Sequence, residues 1–281
     1  MTRNGRNTSS QLLEDKVVVV TGSTRGIGRS IADACSRAGA VVVVSSRKED
    51  AVADTVDAFA ANDQRVCGMS ADVSSAEDVE CLFETTLGLL GRIDAWVNNA
   101  GVSLGYRPLD ECSSEEIDHI VSVNLTGTML ASRLLVPYFT EHGGILLNMS
   151  GRGHRGEATP FTAAYAATKS AVASITRSVA AENKGRPISV HALVPGMVDT
   201  DFYRDLEVSP RLEHARDNWR YAMEAFGVPL EEVGERAVPI LAQVPGRQTG
   251  RIYSFLGPGR MVRGVSRMMW YRATGKLPKE V

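Results

Sequence analysis

Short apolar runs alternate with longer amphipathic stretches from one end of this chain to the other, at 17–20, 41–44, 65–69, 93–97, 144–148, 188–193 and 251–255. Brief runs with little polar alternation are the mark of strands covered on both faces, which belong to parallel sheets with crossover helices. Helical periodicity is predicted at 27–38, 48–61, 75–90, 113–139, 163–183, 201–226 and 229–243, with turns at Gly39, Gly91, Gly143-Gly144 and Gly185-Arg186-Pro187. The pattern predicts a single α/β domain on a doubly wound, parallel, seven-stranded sheet. One stretch breaks the rhythm: a charged helical insertion at 201–227 follows a strand end, where it would overhang the carboxyl edge of the sheet as a lid.

Composition narrows this picture. The 281 residues, 43% apolar and 23% charged, suffice for one large core, and two independent domains are not expected. The expected division is a flexible start at 1–14, a catalytic domain at 15–255 and a basic tail at 256–281. A net charge of −2 offers no electrostatic footprint for nucleic acid. Cys35, Cys67, Cys81 and Cys112 stand far apart without metal-type pairing and read as small, reduced core residues. The polar start lacks a secretory run, no stretch approaches the ~18 consecutive apolar residues of a membrane span, and little precedes the first strand to carry an organelle address. A cytoplasmic protein is the expectation.

Candidate chemistry begins directly after the first strand. Gly22-Ser23-Thr24-Arg25-Gly26-Ile27-Gly28 leaves a four-valine run and opens a helix, so backbone N–H groups and the helix dipole face a phosphate there, as in a Rossmann fold. After the second strand, Ser45-Ser46-Arg47 lacks the acid that would bind a free ribose 2′-hydroxyl. Arg47, with Arg25 in the glycine turn, suits a 2′-phosphate, so NADP is expected over NAD. Tyr165 and Lys169 are spaced i, i+4 on a predicted helix, which puts phenol and ammonium on one face and favours the phenolate. Asn124 is a polar residue in mid-helix, which costs propensity and invites a reason.

With these motifs in place the chain resembles the short-chain dehydrogenases/reductases. The glycine turn, Asp72, Asn98-Asn99-Ala100-Gly101, Asn124, Tyr165-x3-Lys169 and Pro195-Gly196-Met197-Val198-Asp199-Thr200 fall in that family's order and spacing. The resemblance implies that Asp72 and Val73 border the adenine, Asn98, Ala100 and Gly101 the ribose side, and Pro195, Gly196, Val198 and Thr200 the nicotinamide. It implies that Tyr165 gives a proton to a carbonyl oxygen, that Lys169 assists it and binds the ribose, and that Asn124 bends its helix and holds a water toward Lys169. A homodimer or homotetramer through 113–139 and 163–183 is also implied.

One departure concerns the serine that the family places before the tyrosine to hold the substrate oxygen. Here Asn148-Met149-Ser150-Gly151 puts Gly151 in that slot and Ser150 just before it. Ser150 is assigned a catalytic role, against the alternatives that its hydroxyl serves local backbone or that a backbone N–H replaces it. This segment, with Trp96 to Gly101 and Pro195 to Val198, locally resembles chlorophyll b reductases, which reduce a tetrapyrrole formyl group and also replace the usual serine pair. The leading expectation is an NADP(H)-dependent reductase of a ketone or aldehyde on a largely apolar small molecule. Alternatives are chlorophyll b reductase-like chemistry, a 3-oxoacyl or polyketide ketoreductase, and a non-catalytic NADP-binding sensor.

The segment from Arg251 to the end carries seven basic residues, Arg251, Arg260, Arg263, Arg267, Arg272, Lys276 and Lys279, against the single acid Glu280. Such a tail is expected to pack over a neighbouring subunit or the cleft, with peripheral membrane contact as the alternative. No metal site is expected.

Overall fold

The structure, a computed structural model, describes residues 11–201 and 207–274. Seven parallel strands form one sheet in the order β3-β2-β1-β4-β5-β6-β7. They are β1 Val17–Thr21, β2 Val41–Ser46, β3 Val66–Ser70, β4 Ala95–Asn98, β5 Gly144–Met149, β6 Ile188–Val194 and β7 Ile252–Ser254. The order reverses between β1 and β4, so a crevice opens at their carboxyl ends, where ligands of doubly wound sheets bind.

The valine run of β1 shows why both faces must be covered. Val18 and Val20 enter one core with Ile31, Cys35 and Val233, while Val17 and Val19 enter the other with Leu82, Leu135 and Phe139. All four valines are buried, and each such burial contributes about 1.5–3 kcal/mol relative to exposure. The covering helices are α1 Gly26–Arg37, α2 Glu49–Ala60, α3 Ala76–Leu90, α4 Ser114–Val121, α5 Gly127–His142, α6 Ala163–Glu182, α7 Arg216–Phe226, α8 Leu230–Leu241 and α9 Pro258–Thr274. Their ends follow local chemistry: Ser75 caps α3 by accepting from Asp78 N, Ser113 and Glu116 form a capping box on α4, and Gly91 ends α3 in the left-handed conformation.

The structure departs from the sequence expectations at several places. The stretch 113–139 is helical from Ser114 to His142, but a π turn at Ser122–Thr126 interrupts it. This whole run is long and apolar enough to cross a membrane by length and composition, yet Ile120, Leu135 and Phe139 are wholly buried in the protein. The start expected to be flexible is anchored by Leu13, which is buried and donates its N–H to Ala38 O; residues 1–10 of it lie outside the described residues. Of the insertion at 201–227, residues 202–206 lie outside the described residues, and the rest holds a 3-10 turn, Pro210–Ala215, and α7. Of the tail, Pro258–Thr274 forms α9, which packs on α7, and residues 275–281 lie outside the described residues. All four cysteines are free, but only Cys35 is a core residue: Cys81 lies on the outer side of α3, and Cys67, on the edge strand β3, and Cys112 are half-buried.

Candidate active site

The glycine turn is held tightly by the end of β4. Gly22 and Gly26 have φ of +62° and +54°, and a Cβ on Gly22 would sit 2.8 Å from Ala100 Cα. Asn99 Nδ2 donates to Thr21 O at 2.8 Å and Gly22 O at 3.0 Å, and Thr21 Oγ1 accepts from the N–H groups of Asn99 and Ala100, both at 3.1 Å. No side chain caps α1, and its first turn carries no acid, so its leading N–H groups and positive dipole end are left for an anion. The turn therefore fits a dinucleotide pyrophosphate. Ser23 departs from the expected contact role: its buried hydroxyl donates to Val20 O at 2.6 Å and accepts from Ser45 N at 3.0 Å, bracing β1 against β2. Ile27 likewise packs partly into the core, and Thr24 stays half-buried in the turn.

Beyond the turn, Ser46 and the exposed Arg47 end β2, and Asp72 follows β3. Burial alone would raise the Asp72 carboxyl, but hydrogen bonds from the Ser74 hydroxyl and N–H and the positive charge of Arg47 outweigh it and hold it below the usual value. Arg47 thus stands on the Asp72 side of the crevice. Arg25 does not join it, because its guanidinium reaches the other way, to Asp201 at 3.7 Å. Val73 packs against Gly127, where α5 begins.

The catalytic candidates meet on α6. Lys169 is 5% exposed, its Nζ donates to Met149 O at 2.9 Å, and the ammonium lies 5.5 Å from the centroid of the half-buried Tyr165 ring. Burial lowers the Lys169 pKa to about 8. Ser150 Oγ donates to Lys169 O at 2.8 Å and is buried. The tip of β5 therefore grips Lys169 twice, by its ammonium and by its carbonyl. In this geometry the Ser150 hydroxyl proton is given to the α6 backbone.

Gly151 occupies the position beside the phenol. A Cβ there would lie 2.8 Å from Tyr165 Oη and 3.3 Å from Lys169 Cγ. Asn124, 1% exposed, sits in the π turn that its polar side chain foreshadowed. Its Oδ1 accepts from Val102 N at 2.8 Å, and its Nδ2 donates to Val102 O at 3.0 Å and Thr168 Oγ1 at 3.2 Å. Thr168 Oγ1 in turn donates to Tyr165 O at 2.7 Å, so Asn124 ties the loop after β4 to the turn of α6 that carries both catalytic candidates.

Two other expected residues point elsewhere. Asn98 donates to Asn148 Oδ1 and accepts from Trp96 Nε1, both at 2.9 Å, and Asn148 continues to Thr176 Oγ1 at 3.0 Å. Its amide is spent inside the sheet. Val198 is fully buried, and its side chain belongs to the core. Pro195 precedes Gly196, whose φ of +88° turns the chain at the end of β6, and Thr200 packs against the glycine turn, 3.6 Å from where a Cβ on Gly26 would stand. Gly101 completes the approach, with Lys169 Nζ 3.5 Å from where its Cβ would be.

A cleft of about 540 Å³ runs along this edge, lined among others by Arg25, Gly101, His119, Asp201 and Glu207. A narrow recess beside Tyr165 is walled by Leu104, Leu109, Phe161 and Arg107. A backbone bridge between Tyr106 and Val208 ties the loop that carries Leu104 and Arg107 to the insertion. Sequence reasoning missed Asn99, Thr21 and Thr168, which hold the site by backbone contacts; the doubled Asn98-Asn99 was the available signal for the first.

Residues 16–209 match the family model described as short chain dehydrogenase. A probable chloroplastic chlorophyll(ide) b reductase from Oryza sativa subsp. japonica is 34% identical over 92% of this chain and 54% of the relative. The chain thus spans about half the length of that relative. Among solved structures, a 3-ketoacyl-(acyl-carrier-protein) reductase from Brucella melitensis complexed with NADH is similar with a TM-score of 0.77 at 27% identity, over 88% of this chain and 98% of that one. An actinorhodin polyketide ketoreductase with NADPH is similar with a TM-score of 0.77 at 25% identity, over 86% of this chain and 96% of that one.

Proposed function

This chain belongs to the short chain dehydrogenase family, and on that premise we propose that it uses NADPH to reduce the carbonyl of a largely apolar small molecule to an alcohol. The observation that carries the reading is the phenol of Tyr165 beside the buried ammonium of Lys169, on the edge that also carries the uncapped glycine turn. When bound, the nicotinamide supplies the hydride that reaches the carbonyl carbon. Negative charge then develops on the carbonyl oxygen, and Tyr165 Oη gives it a proton. Lys169, fixed by Met149 O, stabilises the phenolate left behind. Leu104 and Phe161, which wall the recess beside Tyr165, favour an apolar substrate.

Arg47 at the end of β2, where no acid stands, supports NADPH over NADH through charge-assisted hydrogen bonds to a 2′-phosphate. A second reading is supported by Gly151: with no side chain beside the phenol, a large flat substrate has room to reach it, as in reduction of a tetrapyrrole formyl group by a protein like the rice relative. Exposed Val121 on α4 and Met129 on α5 support assembly of two or four copies through those helices.

Turnover of NADPH with a panel of apolar aldehydes and ketones tests the proposal. Tyr165→Phe is expected to lower kcat at least ~100-fold with cofactor affinity unchanged, the range for losing a general acid. Cofactor binding without turnover in the unaltered protein, and no effect of the substitution, would identify a nucleotide sensor instead.

A further inference from the structure

The helix α9 carries two opposed faces. On one, Gly264 lets the Phe226 ring of α7 approach, Tyr271 Oη donates to Glu224 Oε1 at 3.1 Å and Arg267 pairs with the same carboxylate at 3.2 Å. Helical spacing puts Met261, Val262, Val265 and Met269 on the other face, 43%, 67%, 48% and 67% exposed. Of the eleven exposed large hydrophobic residues among the described residues, these four and Trp270 lie on this one helix. Such a concentration is not the single scattered residue that an ordinary surface tolerates.

Charge selects the occupant. From Pro258 to Thr274 the helix has no acid of its own; Arg260 and Arg267 pair with Glu232 and Glu224 at 2.7 and 3.2 Å, Arg263 is exposed on the flank away from the apolar stripe, and Arg272, Lys276 and Lys279 follow in the sequence against Glu280 alone. A second copy of this helix would bring like charges together. An anionic bilayer surface instead takes the methionine and valine stripe among its acyl chains and Arg263 among its phosphates, with the half-exposed Trp270 at the interface. We propose that α9 is an interfacial helix that docks this protein on anionic membranes.

This inference does not depend on the chemistry at Tyr165, and a vesicle assay tests it without any substrate. The full chain is sedimented with vesicles of phosphatidylcholine alone or of phosphatidylcholine with phosphatidylglycerol. Binding is expected to the anionic vesicles, at least ~10-fold weaker to the neutral ones and falling as salt is added. The exposed-face variant Val265→Asp/Met269→Asp and the charge variant Arg263→Glu are each expected to lose ~10-fold or more while keeping the thermal transition of the unaltered protein. Three results overturn the proposal: no binding to anionic vesicles, equal binding to both compositions, or variants that bind like the unaltered chain. Vesicle binding absent, with a particle that shrinks in light scattering on Val265→Asp/Met269→Asp, would assign the face to self-assembly instead.

Discussion

Gly151 offers a direct test of the site, because a single methyl group added there reaches the phenol oxygen of Tyr165. In Gly151→Ala the new Cβ would stand 2.8 Å from Tyr165 Oη, 3.3 Å from Lys169 Cγ and 3.5 Å from Tyr165 Cε1, where ordinary contact begins at 3.4 Å. The phenol oxygen must retreat by roughly half an ångström, since the other neighbours belong to the same gripped turn of α6. A misplacement near 1 Å costs about 100-fold in rate, so kcat should fall roughly 10- to 100-fold, or about 1.4–2.7 kcal/mol in barrier. The glycine turn is untouched, so the dissociation constant of NADPH should hold. Steady-state kcat on any carbonyl that the protein turns over, with cofactor binding by fluorescence and a melting curve to establish folding, makes the measurement. Gly151→Ser sharpens it, since it restores the side chain that relatives are expected to carry there. If Gly151→Ala leaves kcat unchanged, or Gly151→Ser raises it, the phenol is not where this geometry puts it.

Ser150→Ala should cost about 0.5–1.5 kcal/mol of stability, from one hydrogen bond lost at a Lys169 carbonyl that the α6 ladder still serves, yet keep kcat within several-fold; a drop of 100-fold would put that hydroxyl on the substrate. Arg47→Ala should weaken NADPH binding about 10- to 100-fold and leave NADH unaffected, as read by cofactor titration, and equal losses for both would remove Arg47 from the 2′-phosphate. His191 is fully buried, its Nδ1 accepts from Arg251 N at 3.3 Å, and burial with the nearby Arg251 charge lowers its pKa from 6.5 to about 4. The unfolded chain therefore binds the proton more readily, stability rises with pH across that window, and acidification through it should remove up to about 3 kcal/mol. Denaturant unfolding at either end of the window checks this, and a His191→Gln variant should flatten the dependence.

The sequence by itself determined the sheet and its order of secondary structure, because each strand is a short apolar run whose alternate residues must enter two separate cores, as Val17 to Val20 do. It also located Tyr165, Lys169 and the glycine turn, since spacing along one helix and a turn between one strand and one helix are local properties. What it did not decide was where polar side chains spend their hydrogen bonds. Ser150 and Gly151 are adjacent in the chain, yet one braces the backbone of α6 and the other faces the phenol, and that division is set by how β5 meets α6. Arg25 and Arg47 read alike as phosphate ligands until the fold turned Arg25 toward Asp201. The helical form of α9 and its bare apolar face are tertiary facts of the same kind, fixed by which side of the helix α7 covers and which it leaves to its surroundings.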